Sequence, residues 1–156
     1  MPLADSDRLP SSAQIADKRD LDGACAIKHF HRKTLAEAEQ LFATAPNTLT
    51  YTEDLLWMRP VGFRYYIRAA IRYALSERAT GECDLINGIA STLALWHEQH
   101  PGEIAPCASL LADFCSAVVQ QFERYNANPE IYTGLREQYH QLADTFTRLS
   151  NATGNA

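Results

Sequence analysis

The sequence predicts an all-α fold, an irregular bundle of five or six helices in a single domain. Apolar residues recur at three- and four-residue spacing along most of its 156 residues, which is the periodicity of amphipathic helices. Pro and Gly fall between these stretches, where helices end, and only residues 48–52 could form a brief extended segment. We expect a loose, polar N-terminal tail over residues 1–22, a helical domain over 23–150, and a frayed C-terminus over 151–156.

The first helices follow this tail. Thr34 and Glu37 form a capping-box pattern, which predicts a helix over residues 35–45 that stops at Pro46. A short helix is expected over residues 52–58, because four consecutive residues there are too apolar to remain in water. They are Leu55, Leu56, Trp57 and Met58.

The central helix is predicted over residues 60–78. Pro60 suits its first turn, since the missing N–H would be unpaired there, and Gly81 closes it. A broad apolar face is formed by Phe63, Tyr66, Ile67, Ala70, Ile71, Ala74 and Leu75. A further helix is expected over residues 84–99, ended by Pro101.

Two more helices complete the predicted bundle, over residues 106–125 and 129–149, with Pro106 and Pro129 near their starts. The last helix carries a stripe at heptad-like spacing, made of Ile131, Leu135, Tyr139, Leu142, Phe146 and Leu149. Such a stripe could seal a homodimer as readily as an internal core.

Charge and composition exclude several classes of function. The net charge is −5; residues 1–80 hold 11 basic and 10 acidic side chains, whereas residues 81–156 hold 3 and 9. An acidic protein does not suit nucleic-acid binding. No apolar stretch approaches the roughly 20 residues of a membrane span, and the N-terminus is not a secretory signal. The four cysteines form no CxxC pair, so we expect reduced thiols and a cytoplasmic protein.

No catalytic motif is recognisable. The chain has no GxSxG elbow, no Gly-rich phosphate loop and no dinucleotide fingerprint. We therefore favour a function that is not enzymatic, and we predict no cofactor and no catalytic residue.

The candidate binding residues lie on the central helix. Arg64, Arg68 and Arg72 are spaced four residues apart and form a stripe along one side, with Tyr65 and Tyr73 beside it. Arginine and tyrosine are enriched in the hot spots of protein interfaces, so we nominate these five residues as a partner-binding surface. The alternative is that the stripe is solvated or paired internally with acidic residues.

A second candidate is the pair His97 and His100, near the end of a predicted helix. Their spacing is not that of HExxH, and no third ligand is evident, so we predict no metal site. With Arg64 they could instead line a pocket between helices, as in a small-ligand-binding protein or an enzyme.

Three weaker candidates have plainer explanations. The segment His29-Phe30-His31 lies in a small basic patch that we expect to be solvated. Three aspartates, at positions 17, 20 and 22, lack the spacing of a calcium loop. Cys83 lies near a predicted helix start, where a thiol pKa can fall, but the neighbouring Glu82 and Asp84 oppose that shift, so we expect a structural thiol.

One segment carries a resemblance. Residues 50–75 contain Thr52-Glu53-Asp54-Leu55 and then Gly62-Phe63-Arg64-Tyr65-Tyr66, leading into Tyr73-Ala74-Leu75. This segment, about a sixth of the chain, resembles small bacterial proteins of unknown function in which a Phe-Arg-Tyr-Tyr run opens a buried helix. The resemblance implies a bacterial source and a small helical fold, and no catalytic residue.

These observations favour a cytoplasmic module that binds another protein, as an adaptor, a regulator or a toxin-neutralising partner. The alternative is a small-ligand-binding protein or an enzyme with a pocket near His97, His100 and Arg64. Nucleic-acid binding would need a continuous basic face and is the least favoured of the three.

Overall fold

The computed structural model describes residues 7–154. All regular elements in these residues are helical and none is a strand, so the all-α prediction is confirmed. The chain groups into two compact units, one up to Tyr73 and the other from Ala74 onward, a division that the single-domain prediction does not contain. The second unit carries the acidic excess, with 10 acidic and 4 basic residues from Ala74 on.

Helices occupy most of both units. In chain order the α-helices are α1 (Ser12–Ile15), α2 (Leu21–Phe30), α3 (Leu35–Thr44), α4 (Leu49–Leu56), α5 (Pro60–Leu75), α6 (Cys83–Gln99), α7 (Pro101–Ile104), α8 (Ala108–Gln120) and α9 (Leu135–Gly154). Short 3-10 turns lie at Glu77–Ala79, Ala105–Cys107 and Phe122–Tyr125.

The described residues contain more helices than the five or six predicted, because α1, α2 and α7 add to them. The six predicted helices are present with shifted ends. The largest shift is in α9, which begins at Leu135 and not near Pro129. Gly134, directly before it, has a φ of +75°, in the left-handed region, and this conformation ends the irregular segment before the helix can start.

An aromatic cluster holds the first unit together. Phe30 and Phe42 are buried, and the Tyr51 ring lies edge-on to both, at centroid distances of 6.0 and 5.7 Å. The buried Tyr66 hydroxyl lies 2.8 Å from the carbonyl oxygens of Phe30 and Lys33. The Phe30 carbonyl ends α2 without an intrahelical partner, and the Lys33 carbonyl lies just beyond the helix, so the single hydroxyl proton is shared between the end of α2 and the following turn.

Part of the predicted N-terminal tail is packed, which corrects the expectation of a loose segment for residues 11–16. Ile15 is fully buried, and Ser11 and Gln14 form a capping box around α1. The Arg59 N–H donates to the Ile15 carbonyl over 2.7 Å, and a Cβ at Gly62 would lie 2.8 Å from the Ile15 Cα. One apolar side chain and one glycine therefore dock a segment whose composition is otherwise polar.

The second unit is built around α6, α8 and α9, with α9 packed along α8 and α6. The α9 stripe from Leu135 to Phe146 is buried within this unit, so it forms internal core. Tyr139 is fully buried, and its hydroxyl donates to the Ile86 carbonyl of α6. Burial raises the pKa of Tyr139 well above its usual value, which keeps this hydroxyl a neutral donor.

Arg124 closes the end of α5 from within the second unit. Its Nη2 lies 2.8 Å from the Ala74 carbonyl oxygen, and its Nη1 lies 2.9 Å from that of Ser76. The Ala74 carbonyl belongs to the last turn of α5 and also accepts from the Tyr125 hydroxyl. The Ser76 carbonyl, just beyond the helix, also accepts from the Ala79 N–H. The helix α5 ends at Leu75, before the predicted end at Arg78.

The helix α9 continues to Gly154, and residues 151–154 are exposed. The sequence predicts a frayed C-terminus over residues 151–156. In the structure, residues 151–154 form an exposed last helical turn, and residues 155 and 156 lie outside the described part of the chain.

Candidate functional site

The predicted surface lies on α5, a helix that is buried along most of its circumference. In the first unit its exposed side is narrow: Val61 and Arg72 are exposed, whereas Arg64 and Arg68 are half-buried. The three arginines follow one another along this side, as their spacing predicts. Arg64 and Arg68 both have intramolecular partners, and one of these is Asp7, whose Oδ1 lies 3.9 Å from Nη1 of Arg68.

Tyr65 and Tyr73 do not form part of an exposed surface, which corrects the nomination of these two residues. Only 8% of Tyr65 and 3% of Tyr73 is exposed. Both face the packed side of α5, because each lies about 100° around the helix from the arginine that precedes it. Spacing along the sequence cannot tell whether such a neighbour lies on the buried or on the exposed side of the helix.

Tyr65 instead packs beneath Arg68, on the buried side of α5. The Arg68 guanidinium lies over the Tyr65 ring, with its carbon 4.8 Å from the ring centroid, and its Nε lies 3.4 Å from the Tyr65 carbonyl oxygen. The Tyr65 ring in turn packs edge-on against Tyr66, at a centroid distance of 4.8 Å. This cation–π contact restricts the rotamers of Arg68 and so preorganises its charge.

Trp57 is the residue of this region that the sequence misassigns. The sequence predicts that Trp57 is buried with its neighbours, yet 50% of this residue is exposed. Trp57 is the residue at which α4 ends. Val61, four residues on, is 39% exposed. An exposed indole is unusual, because Trp has the largest apolar surface to bury. We define the α5 surface as Trp57, Val61, Arg64, Arg68 and Arg72.

The two predicted histidines are packed against aromatic rings of the second unit. The His97 ring lies edge-on to Phe146, at 5.8 Å between centroids, and the His100 ring lies 5.2 Å from Trp96. Neither histidine lines the cleft beside residues 126–134 or the cleft beside Gly102 and Gly154. Arg64, the third residue of the pocket hypothesis, belongs to the first unit.

Within residues 7–154, no group of three or more His, Cys, Asp and Glu side chains could hold a metal ion. The four cysteines are free thiols. Cys115 is buried, and burial raises its pKa to about 12, so this thiol stays protonated at neutral pH.

A buried carboxylate pairs with a histidine in the first unit, and the sequence did not indicate this pair. His29 Nδ1 lies 2.6 Å from Asp54 Oδ2, which joins α2 to α4, and the Tyr51 ring is edge-on to the imidazole. The Asp54 side chain is only 7% exposed, and burial raises its pKa although the His29 hydrogen bond opposes that shift. The expectation of a solvated patch at 29–31 is therefore wrong for His29 and for the fully buried Phe30.

The larger cleft of the second unit is open and has a volume of about 810 Å³. Its floor includes the buried Leu135 and the half-buried Phe122, and Glu123 and Glu137 stand on its exposed rim. Tyr132 forms part of its wall. A smaller cleft of about 500 Å³ is lined mainly by small residues around Gly102 and Gly154.

One helical stretch in the described residues, Pro101–Gln120, is long and apolar enough to cross a membrane by length and composition alone, with a mean hydropathy of 1.4. It includes the buried Leu111 and Phe114, and the Phe114 ring contacts Tyr139 of α9 at 6.0 Å between centroids. Core helices of soluble proteins meet the same criterion, and 39% of the most apolar 18-residue window of this stretch is buried.

Comparisons with protein-family models, with curated proteins and with solved structures gave no match. The resemblance of residues 50–75 to small bacterial proteins of unknown function therefore stays a prediction.

Proposed function

We propose that this protein is a protein-binding module, an adaptor or regulator, and that it contacts its partner through the α5 surface. The observation that carries the proposal is the half-exposed indole of Trp57, three residues before α5, together with an exposed side of that helix that carries Val61 and three arginines. Trp and Arg are the residue types that contribute most binding energy in interfaces.

The proposed partner offers an acidic surface with an apolar recess. Arg72 is exposed, and its guanidinium can pair with a carboxylate in bidentate geometry. Arg64 and Arg68 add positive charge on the same side of the helix, and Trp57 supplies the large apolar contact. The buried Tyr65 beneath Arg68 strengthens the case, because a preorganised side chain loses less entropy on binding.

The test compares capture of partners from a lysate of the source organism by the wild-type protein and by two variants, Trp57→Ser and Arg72→Glu. Both residues are exposed, so neither change should disturb the fold. Arg148→Glu is the matched control, since it makes the same charge reversal at an exposed position of α9. We expect Trp57→Ser to weaken binding of the captured protein about 30-fold, the effect of losing a hot spot worth about 2 kcal/mol.

Circular dichroism and urea unfolding of each variant show whether the fold is intact. A partner that binds both variants as tightly as the wild-type protein places the interface elsewhere. Absence of any captured protein counts against a protein-binding function. Equal weakening by Arg148→Glu shows that overall charge, and not the α5 surface, determines binding.

A further inference from the structure

The segment between the last 3-10 turn and α9, residues 126–134, forms one side of the larger cleft. Asn126, Pro129, Tyr132 and Gly134 are among the residues that line it. None of the nine residues is buried, and Ile131 is 72% exposed. A segment with so few buried contacts lies at the low end of local stability.

Both ends of this segment have the geometry of hinges. Asn126 has a φ of +56° and Gly134 a φ of +75°, so the chain enters and leaves the segment through left-handed residues. A Cβ at Gly134 would meet no atom within 4 Å, so the backbone there is also free of packing. Tyr125 and Leu135, just outside the hinges, are both buried and fix the segment's ends.

Between the hinges the segment bonds mainly to itself. The Asn128 carbonyl accepts from the N–H groups of Ile131 and Tyr132, and its side-chain Oδ1 accepts from the N–H of Glu130 over 2.9 Å. The Thr133 hydroxyl donates to the Pro129 carbonyl over 3.0 Å. These bonds survive a rotation about the two hinges, so the segment can move as one piece once the bond from the Leu135 N–H to the Tyr132 carbonyl, 3.2 Å across Gly134, is broken.

One side chain ties this piece to α6. The Tyr132 hydroxyl donates to the carboxylate of Asp84, and the Cys83 Sγ lies 3.6 Å from the same hydroxyl oxygen. The hydrogen bonds to Asp84 and Cys83 raise the pKa of Tyr132, which keeps the phenol protonated as the donor. Hydrogen bonds to a charged acceptor are about twice as strong as neutral ones.

We propose that residues 126–134 are a hinged flap over the larger cleft, and that the bond between Tyr132 and Asp84 is the latch that holds it closed. Opening the flap removes Tyr132 from the cleft wall, which widens access to the apolar floor at Phe122 and Leu135. It also uncovers the half-buried thiol of Cys83. This device lies in the second unit and does not depend on the proposed role of the α5 surface.

Cys83 is a built-in reporter of opening. In a Cys25→Ser/Cys107→Ser background, the thiols that remain are Cys83 and the buried Cys115. The rate at which Cys83 reacts with a disulfide reagent such as DTNB then follows the open fraction of the flap. Tyr132→Phe keeps the ring and removes the latch, whereas Ile131→Ser changes an exposed flap residue outside the latch and is the matched control.

We expect Tyr132→Phe to increase the reaction rate of Cys83 about 10-fold to 100-fold, which is the shift in an opening equilibrium when a hydrogen bond to a charged group is lost. Ile131→Ser should leave the rate unchanged. Asp84→Asn also removes a negative charge beside the thiol, so its effect on the flap is measured by amide hydrogen exchange of residues 127–134, which should become faster. Amide hydrogen exchange of residues 127–134 should become faster in Tyr132→Phe, while exchange in α8 and α9 stays at the wild-type rate.

Two results would overturn the proposal. An unchanged Cys83 rate in Tyr132→Phe means that this bond does not hold the segment in place. Faster exchange spread equally over α8, α9 and residues 127–134 means that the segment opens only with global unfolding, so it is not a flap.

Discussion

Replacing Arg124 by Ala should be among the most destabilising changes outside the apolar core. The guanidinium donates to the carbonyls of Ala74 and Ser76 and to Gln121 Oε1 over 2.8–2.9 Å, and it stacks on the Tyr125 ring at 4.5 Å. The carbonyls of Ala74 and Ser76 each lose one charged donor, at about 1 kcal/mol each, although Ala74 keeps the Tyr125 hydroxyl and Ser76 keeps the Ala79 N–H. The cation–π contact adds about 0.5–1 kcal/mol. The expected loss is about 3 kcal/mol, or roughly 10 °C in Tm for a chain of this size.

Urea unfolding followed by circular dichroism measures this loss, and two variants divide it into parts. Arg124→Lys keeps the charge but cannot direct two donors at Ala74 and Ser76, so it should lose about 2 kcal/mol. Tyr125→Phe removes the hydroxyl that lies 2.7 Å from the Ala74 carbonyl oxygen and should lose about 1 kcal/mol. A loss below about 0.5 kcal/mol in Arg124→Ala would refute the assignment of this guanidinium as the cap of α5.

Two further predictions concern the first unit. Gly62→Ala should destabilise the protein by about 1–2 kcal/mol in a urea titration, since the new Cβ would press on the Ile15 backbone; Gly102→Ala, with nothing within 4 Å, is the control and should not. Burial raises the pKa of Asp54 above its ordinary value of 3.8, so the folded protein binds this proton more tightly than the unfolded chain. The contribution of Asp54 to stability is therefore complete below pH 3.8 and is lost as the pH rises through the folded pKa. Urea titrations at several pH values from 3.8 upward should show that the Asp54→Asn variant does not lose this stability as the pH rises. The same pH dependence of stability in the variant and in the wild-type protein would contradict this role of Asp54.

Features that local chemistry determines were predictable from the sequence. Thr34 and Glu37 form the expected capping box, with both reciprocal hydrogen bonds, at the start of α3. Pro60 begins α5 as predicted. In both cases the signal lies within one helical turn, so no knowledge of the rest of the fold is needed.

Features that depend on which side of an element is covered were not predictable. The apolar character of Trp57 argues for burial, but no neighbouring element covers half of the indole. Tyr65 and Tyr73 look like interface residues beside arginines, but they face the packed side of their helix. Propensity and spacing define a helix face without saying what lies against it.

The pairing of His29 with Asp54 needs tertiary structure of another kind, because the two residues are 25 positions apart on different helices. The histidine is surrounded in the sequence by Lys28, His31 and Arg32, which indicate a solvated segment and not a buried ion pair. The same holds for the latch of the flap, whose members Asp84 and Tyr132 are 48 positions apart.

The docking of α1 has a consequence for the order in which the chain can fold during synthesis. Ile15 leaves the ribosome early, whereas its acceptor site at Arg59 and Gly62 is synthesised more than forty residues later. Until then Ile15 lacks the contacts with Arg59 and Gly62, and α1 is too short to persist alone as a helix. The helix α1 is thus among the last parts of its unit to become ordered, although domains generally fold from the N-terminus onward.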